Sequence, residues 1–195
     1  MVRGFVAIVP PVSVVTEAFA AFDRSPLGDL LGDRLTRSKP DRAHLTLRFF
    51  ADVDLDRLVT SLAALRAPPL RLRLGAVGVF PSTRRARVAW VGIVDGEGEL
   101  ADLVQQIDEI ADPIVGGRDQ RFVAHLTRGR ITPPANVARL LRDPEPGSSA
   151  AGSAPGSGTI FEVTDVVVFE SRPDGRRFTH VERARIVLVD DRPGT

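Results

Sequence analysis

The chain has 195 residues, of which 43% are hydrophobic and 26% charged, and no apolar run reaches the roughly 18 residues needed to cross a bilayer, as is typical of a soluble globular protein. The formal net charge is only +1, so the chain as a whole is not a polycation that coats nucleic acid, although its arginines can still cluster locally. Cysteine is absent, which excludes disulfides and thiolate metal sites, and we therefore expect a cytoplasmic protein.

Strand-like and helix-like stretches alternate along the sequence. The segment 54–66 is a clear amphipathic helix, with Asp54 as its N-cap and two prolines after its end. In chain order we predict strand 3–9, helix 12–23, strand 43–50, helix 54–66, strands 70–80 and 86–94, helix 97–111, strand 120–128, a short helix after Pro133-Pro134, and strands 159–170 and 177–189 joined by a turn at 172–175. About seven strands and three or four helices indicate an α+β protein with largely antiparallel sheets.

Residues 143–158 consist mainly of Pro, Gly, Ser and Ala. Such a segment cannot bury enough apolar surface to offset its conformational entropy, so we predict a flexible loop there. The chain length otherwise suits one domain or two small fused lobes.

A four-residue sequence containing histidine occurs twice. Ala-His-Leu-Thr stands at 43–46 and again at 124–127, and the chain has only three histidines in total. Recurrence of this sequence around so rare a residue is far less expected by chance than a single short motif. The repeat indicates an internal duplication of a catalytic half-site.

The spacing of the repeat has a chemical reason. On a strand, residues i and i+2 share a face, so each His and Thr would project into a cleft while Leu45 and Leu126 face the core. Two imidazoles can supply a base and an acid near neutral pH, and the threonine hydroxyls can donate to phosphoryl oxygens. A single His-x-Thr on a strand is usually structural, with its imidazole satisfied by a backbone carbonyl. Two matched copies in different halves favour the catalytic interpretation, with no metal and no cofactor.

Both segments resemble motifs of the two-histidine (2H) phosphoesterase superfamily, and within it the RNA 2′,3′-cyclic phosphodiesterases, also called 2′-5′ RNA ligases. HLTLRF at 44–49 matches the first motif fully, and HLTRGR at 125–130 keeps His, Leu, Thr and the last Arg of the second. The similarity extends over nearly the whole chain, including its start and the segments 75–93 and 166–178.

This resemblance implies a bilobal α+β fold with pseudo-two-fold symmetry, in which two antiparallel sheets flank a central cleft with helices outside. It also implies that residues 1–195 form a single domain of two intertwined lobes. The activity it implies is hydrolysis of an RNA-terminal or nucleotide 2′,3′-cyclic phosphate to a 2′-phosphate, with 2′-5′ RNA ligation as a further activity. The residues that it makes catalytic are His44, Thr46, His125 and Thr127.

Other residues are candidates for binding the substrate. By motif position Arg130 would hold the phosphate, but strict alternation puts it opposite His125, so a twist or bulge near Gly129 is needed. Arg84 and Arg85 could reach RNA phosphates at the rim of the cleft, and Phe80 could stack a base.

Three positions depart from the pattern or carry a weaker assignment. Arg128 stands where the family usually has leucine and a core side chain is expected. His180 has no threonine two residues later, so we expect a surface or structural role. Trp90 is expected to be a core aromatic.

Two alternatives to this function stay open. An enzyme of the same fold could cleave another small phosphodiester, such as a cyclic phosphate of ADP-ribose or a 2′-5′ oligonucleotide. The chain could also be an RNA-end binding module without turnover, although pure binding would not need a matched acid and base. We expect a monomer that acts on RNA ends or nucleotide cyclic phosphates, away from membranes. Which histidine is the base stays open.

Overall fold

The computed structural model describes residues 1–96, 98–117, 121–141, 159–175 and 177–189. Nine strands and four α-helices lie in this part of the chain. The elements are β1 (Val2–Ile8), α1 (Val12–Asp23), α2 (Pro26–Leu31), β2 (Leu35–Arg37), β3 (Leu45–Val53), α3 (Leu55–Leu62), β4 (Leu70–Phe80), β5 (Ala86–Asp95), α4 (Glu99–Val115), β6 (His125–Ala135), β7 (Ile160–Val163), β8 (Asp165–Asp174) and β9 (Arg177–Val187). The predicted flexible loop at 143–158 lies outside the described residues.

The strands form two antiparallel sheets with helices outside, as expected. The first sheet has the order β3-β1-β8-β9, and the second has the order β2-β6-β5-β4-β7. Each His-x-Thr sequence belongs to a different sheet, the first at the start of β3 and the second at the start of β6. The two copies of the His-x-Thr sequence therefore come from separate halves of the chain and lie on separate sheets of this α+β fold.

Local signals explain the helices. The Asp54 side chain accepts a hydrogen bond from the Arg57 backbone N–H at 3.1 Å, which confirms the predicted N-cap of α3. The apolar face of that helix, with Leu58 and Leu62, is fully buried. At the end of α4, Gly116 has a φ of +83°, a conformation that favours glycine. None of the helices in the described ranges is long and apolar enough to span a membrane.

The predicted short helix after Pro133-Pro134 is wrong. β6 continues through both prolines to Ala135. In the described residues, its pairing with β2 ends at Ile131, so the prolines lie beyond that ladder. Proline lacks a backbone N–H, and it is tolerated in a strand where the ladder is interrupted.

Two further elements were not predicted. Helix α2 has six residues; the Ser25 hydroxyl caps it by accepting from the Gly28 backbone N–H, and a proline begins it. Strand β2 has only three residues and pairs with β6. Both elements are too short to carry a periodic apolar pattern. The capping serine of α2 is the one local sequence signal for either of them.

Candidate active site

The first histidine lies immediately before β3. The His44 side chain is half-buried, and its Nδ1 donates a hydrogen bond to the Arg42 carbonyl oxygen at 3.1 Å. A carbonyl can only accept, so the neutral ring carries its proton on Nδ1. The ring also stacks on Phe5, with centroids 4.7 Å apart and planes 22° apart. These contacts fix the ring and leave its Nε2 available.

The second histidine has the same arrangement at the start of β6. Nδ1 of the half-buried His125 donates to the Val123 carbonyl oxygen at 2.7 Å, again two residues earlier in the chain. Its ring meets Phe80 edge to face at 4.9 Å and Trp90 at 6.1 Å. Both imidazoles are therefore held by a backbone acceptor and an aromatic neighbour, and among the described residues neither Nε2 has a hydrogen-bond partner.

The alternation of side chains agrees with the sequence prediction. Leu45 and Leu126 have no exposed surface, and each leucine stands between a half-buried histidine and a half-buried threonine. Thr46 and His125, one from each sheet, line the same cavity of about 550 Å³. Groups from both copies of the repeat therefore meet at one volume large enough for a nucleotide-sized guest.

Burial disfavours the charged forms of both rings, and neighbouring histidine charge adds to this at His44. Burial lowers the pKa of His44 from its usual 6.5 to about 4; the hydrogen bond to Arg42 opposes this, while the charges of His180 and His125 lower the pKa further. Burial also lowers the pKa of His125, against the effect of its hydrogen bond to Val123. The charge of one ring is thus felt by the other.

A β-bulge follows each threonine. In the first sheet Ala7 pairs with Thr46 and Val6 with Arg48, so Leu47 is the additional residue. In the second sheet Trp90 pairs with Thr127 and Ala89 with Gly129, so Arg128 is additional. The two strands share this irregularity at matching places.

The second bulge determines where Arg130 points. On β5, Val88 and Trp90 are two residues apart, so their side chains lie on the same face of the sheet. Val88 pairs with Arg130, and Trp90 pairs with Thr127. The exposed Arg130 side chain therefore lies on the same face as His125 and Thr127. The bulge required for this placement was predicted near Gly129, and the structure confirms it.

Arg128 is buried, but it is not an uncompensated core charge. Its side chain is 5% exposed and binds both carboxylate oxygens of Asp23, at 3.1 and 2.8 Å. The guanidinium also lies 4.8 Å from the centroid of the Phe19 ring. A leucine at this place is thus replaced by an ion pair whose partner comes from the end of α1.

The remaining predicted substrate residues lie around the β4–β5 hairpin. Phe80 is half-buried at the end of β4 and contacts His125. Arg84 and Arg85 are exposed in the turn that follows, and no described contact joins them to either histidine. Trp90 is 3% exposed, as expected of a core aromatic, and its ring packs over Gly78, where a Cβ would lie 2.1 Å from the ring.

The third histidine lies beside the first, which no local sequence pattern indicates. His180 is exposed, as predicted, but its ring centroid is 5.5 Å from that of His44 and 4.9 Å from that of Phe5. This proximity depends on the order of β3, β1, β8 and β9 in the sheet, which no local pattern specifies. In the described part of the chain, no three histidine or carboxylate side chains cluster in a way that could hold a metal ion.

Similarity to proteins of known family agrees with this geometry. A family model described as LigT like Phosphoesterase matches residues 13–90. The RNA 2′,3′-cyclic phosphodiesterase of Archaeoglobus fulgidus is 34% identical over 96 residues, which are 48% of this chain and 54% of that protein. The protein of the same name from Aeropyrum pernix is 32% identical over 103 residues, 51% of this chain and 58% of that protein. The chain thus spans a little more than half the length of each relative.

Solved structures match over almost the whole chain. A protein named as a phosphoesterase has a TM-score of 0.70 and 21% identity, covering 96% of this chain and 99% of that one. LigT of E. coli in complex with 3′-AMP has a TM-score of 0.68 and 21% identity, covering 95% of this chain and 97% of that one. At this identity the likeness shows the fold. The chain is thus similar in sequence to LigT-like phosphoesterases over residues 13–90, and it shares the fold of these solved structures.

Proposed function

We propose that the chain hydrolyses 2′,3′-cyclic phosphates at RNA or nucleotide ends to 2′-phosphates, with His44 and His125 as the acid–base pair. One observation carries the proposal: both rings donate through Nδ1 to a backbone carbonyl two residues earlier, which leaves Nε2 without a hydrogen-bond partner in the part of the chain that the structure describes. The effect of the His125 charge on His44 supports their action on one substrate. In-line displacement at phosphorus needs such a pair, because one proton leaves the water while another reaches the leaving oxygen.

The proposed reaction balances without another reactant. Nε2 of one neutral imidazole takes a proton from water as the water oxygen bonds to phosphorus. The bond from phosphorus to the ribose 3′ oxygen breaks, and the second imidazole, which starts protonated, gives its proton to that oxygen. The product is a 2′-phosphate with a free 3′ hydroxyl. Proton exchange with solvent then restores both rings.

The other predicted site residues would stabilise charge and position the substrate. The hydroxyls of Thr46 and Thr127 would donate to the non-bridging oxygens, which gain charge in the transition state. Arg130 is a suitable counter-charge because its exposed side chain shares the face of His125. Phe80 would stack a base beside His125, and Arg84 and Arg85 would attract RNA phosphates from the adjacent turn.

The names of the relatives support RNA 2′,3′-cyclic phosphate as the substrate class. We propose 2′-5′ ligation as a further activity, because an RNA 5′ hydroxyl that attacks the cyclic phosphate in place of water would use the same two proton transfers and release the same 3′ oxygen. We also propose that the chain acts as a cytoplasmic monomer and that both halves form one domain. The absence of cysteine supports the cytoplasmic location, and the contribution of one histidine by each half supports a single domain.

Turnover of cyclic mononucleotides, cyclic-ended RNA and 2′-5′ linked dimers, measured side by side, tests the substrate. Phosphorus-31 NMR distinguishes a 2′-phosphate product from a 3′-phosphate. His44→Ala and His125→Ala should each lower kcat by about 10²–10⁴-fold. Thr46→Ser, which keeps the hydroxyl, should remain more active than the isosteric Thr46→Val, and the same should hold at Thr127.

The outcome also separates the enzyme from a binding module. Loss of hydrolysis in the histidine variants, with RNA binding largely kept and thermal unfolding unchanged, supports catalysis. Full activity in either histidine variant contradicts the proposal. Binding of cyclic-ended RNA by the wild type without any turnover would favour the module.

A further inference from the structure

We propose that exposed side chains beside His44 bind the single-stranded RNA that lies 5′ of the reacting end. This surface, which we call the ledge, comprises Arg3, Arg42, Phe49, Phe178 and His180. The inference rests on the proposed function, because a terminal 2′,3′-cyclic phosphate leaves only the 5′ side of its nucleotide attached to a chain. It goes further by assigning an oligonucleotide, not a mononucleotide, as the preferred substrate.

Flat side chains on the ledge suit unpaired bases. The Arg3 guanidinium lies 4.5 Å from the ring centroids of both Phe49 and Phe178. These two phenylalanines are 47% and 43% exposed, although large apolar side chains are usually covered. Aromatic rings and an arginine plane stack bases of any sequence, as in proteins that bind single strands.

The ledge is continuous with the candidate active site. Phe49 pairs with Phe5, whose ring stacks on His44. His180 contacts both of these rings, and Phe178 is two residues away on the same strand and face. Phe178 thus lies about 7 Å beyond His180 along β9. A chain leaving the nucleotide at His44 would reach these rings next.

The charges on this face match a phosphate backbone. Burial lowers the pKa of His180, and the charges of Arg3 and Arg42 lower it further. In the described part of the chain neither arginine forms an ion pair, whereas Glu182, on the same face of β9, is paired with Arg185. Arginines without a carboxylate partner attract phosphate and give binding that weakens with salt. A single-stranded nucleic acid offers both the bases and the phosphates that this surface would contact.

A ratio of specificities tests the ledge. We compare kcat/KM for a cyclic-ended oligoribonucleotide with kcat/KM for the cyclic mononucleotide of the same terminal base. In Phe178→Ala and Arg3→Ala this ratio should fall about tenfold, through KM of the oligonucleotide. Arg71→Ala, which removes an exposed arginine on β4, is the matched control and should keep the wild-type ratio. An unchanged ratio in both ledge variants would overturn the inference.

A binding measurement keeps the ledge separate from the proposed chemistry. Fluorescence anisotropy with a 2′-phosphate-ended oligoribonucleotide needs no turnover. Both ledge variants should bind it about tenfold more weakly than wild type, and Arg3→Ala should reduce the slope of log K against log salt by about 1. If the wild type hydrolyses neither substrate, the proposed function fails, but the binding measurement still tests the ledge. Wild-type affinity in both variants would overturn it.

Discussion

Arg48 and Arg128 are both buried, each close to the β-bulge that follows the threonine of its own His-x-Thr strand. Each follows its threonine by one or two residues at a β-bulge, lies against a phenylalanine ring and pairs with aspartate from a helix. Arg48 binds two aspartates of α4, and Arg128 binds Asp23 of α1. The side chains of the two arginines are 4% and 5% exposed. Each His-x-Thr strand is thus anchored to its own helix by an ion pair between a buried arginine and partly exposed aspartate.

Removal of the Asp23 carboxylate should destabilise the fold. Asp23→Ala would leave the Arg128 guanidinium buried without its charge partner, and we expect a loss of about 2–4 kcal/mol in the free energy of unfolding, because the aspartate itself is partly exposed. Urea denaturation measures this loss.

The matched control is an exposed ion pair on β9. Glu182→Ala removes a partner of Arg185, and both of those side chains are 45% exposed. Its effect should stay below about 1 kcal/mol. Equal destabilisation by the two substitutions would contradict the anchoring role of Arg128.

Acid should destabilise the wild type through His44. The pKa of this ring is about 6.5 in the unfolded chain and about 4 in the folded one. Between these values the unfolded state binds more protons, so stability falls as pH falls, by up to about 1.4 kcal/mol per pH unit for one group. Above pH 6.5 the His44 ring is neutral in both the folded and the unfolded state, and its contribution to the free energy of unfolding is fully present.

The comparison with His44→Asn isolates that ring from the carboxylates, which titrate in the same range. Unfolding free energies of both proteins, measured from pH 7 down to pH 4, should converge as the pH falls, because only the wild type loses the His44 contribution. Parallel curves would show that the pKa of His44 is not lowered in the folded protein.

Leaving-group chemistry should identify the acid. Burial lowers the pKa of both rings, and that of His44 falls to about 4, so His44 is neutral at pH 7; we expect it to be the base and His125 the proton donor. A nucleoside 2′-(p-nitrophenyl phosphate) has a leaving group that needs no proton. His125→Ala should hydrolyse this ester at a rate near that of wild type, and His44→Ala should remain slow. If only His44→Ala hydrolysed this ester at a rate near that of wild type, His44 would be the acid and His125 the base. Near-wild-type hydrolysis by both variants would contradict acid–base pairing.

Local patterns predicted much of the fold and of the candidate site. Helix α1 and strand β4 have the predicted bounds, because their apolar periodicity is long and uninterrupted. The His-Leu-Thr alternation placed Leu45 and Leu126 in the core, since a strand has a period of two. Such features depend on neighbours within a few residues.

Contacts between distant segments could not be predicted. The ion pair of Arg128 with Asp23 joins residues 105 positions apart, and no local pattern relates them. The place of His180 beside His44 depends on strand order in a four-stranded sheet. β6 runs through Pro133 and Pro134 because the pairing with β2 has already ended, which only the assembled sheet determines.

A crystal structure with a 2′-nucleotide bound tests most directly whether both imidazoles serve one phosphate. We predict that oxygens of a single phosphate lie about 2.6–3.2 Å from Nε2 of His44 and from Nε2 of His125. The threonine hydroxyls should contact the same group. A phosphate bound to only one of the two rings, with the other turned away from it, would contradict the account.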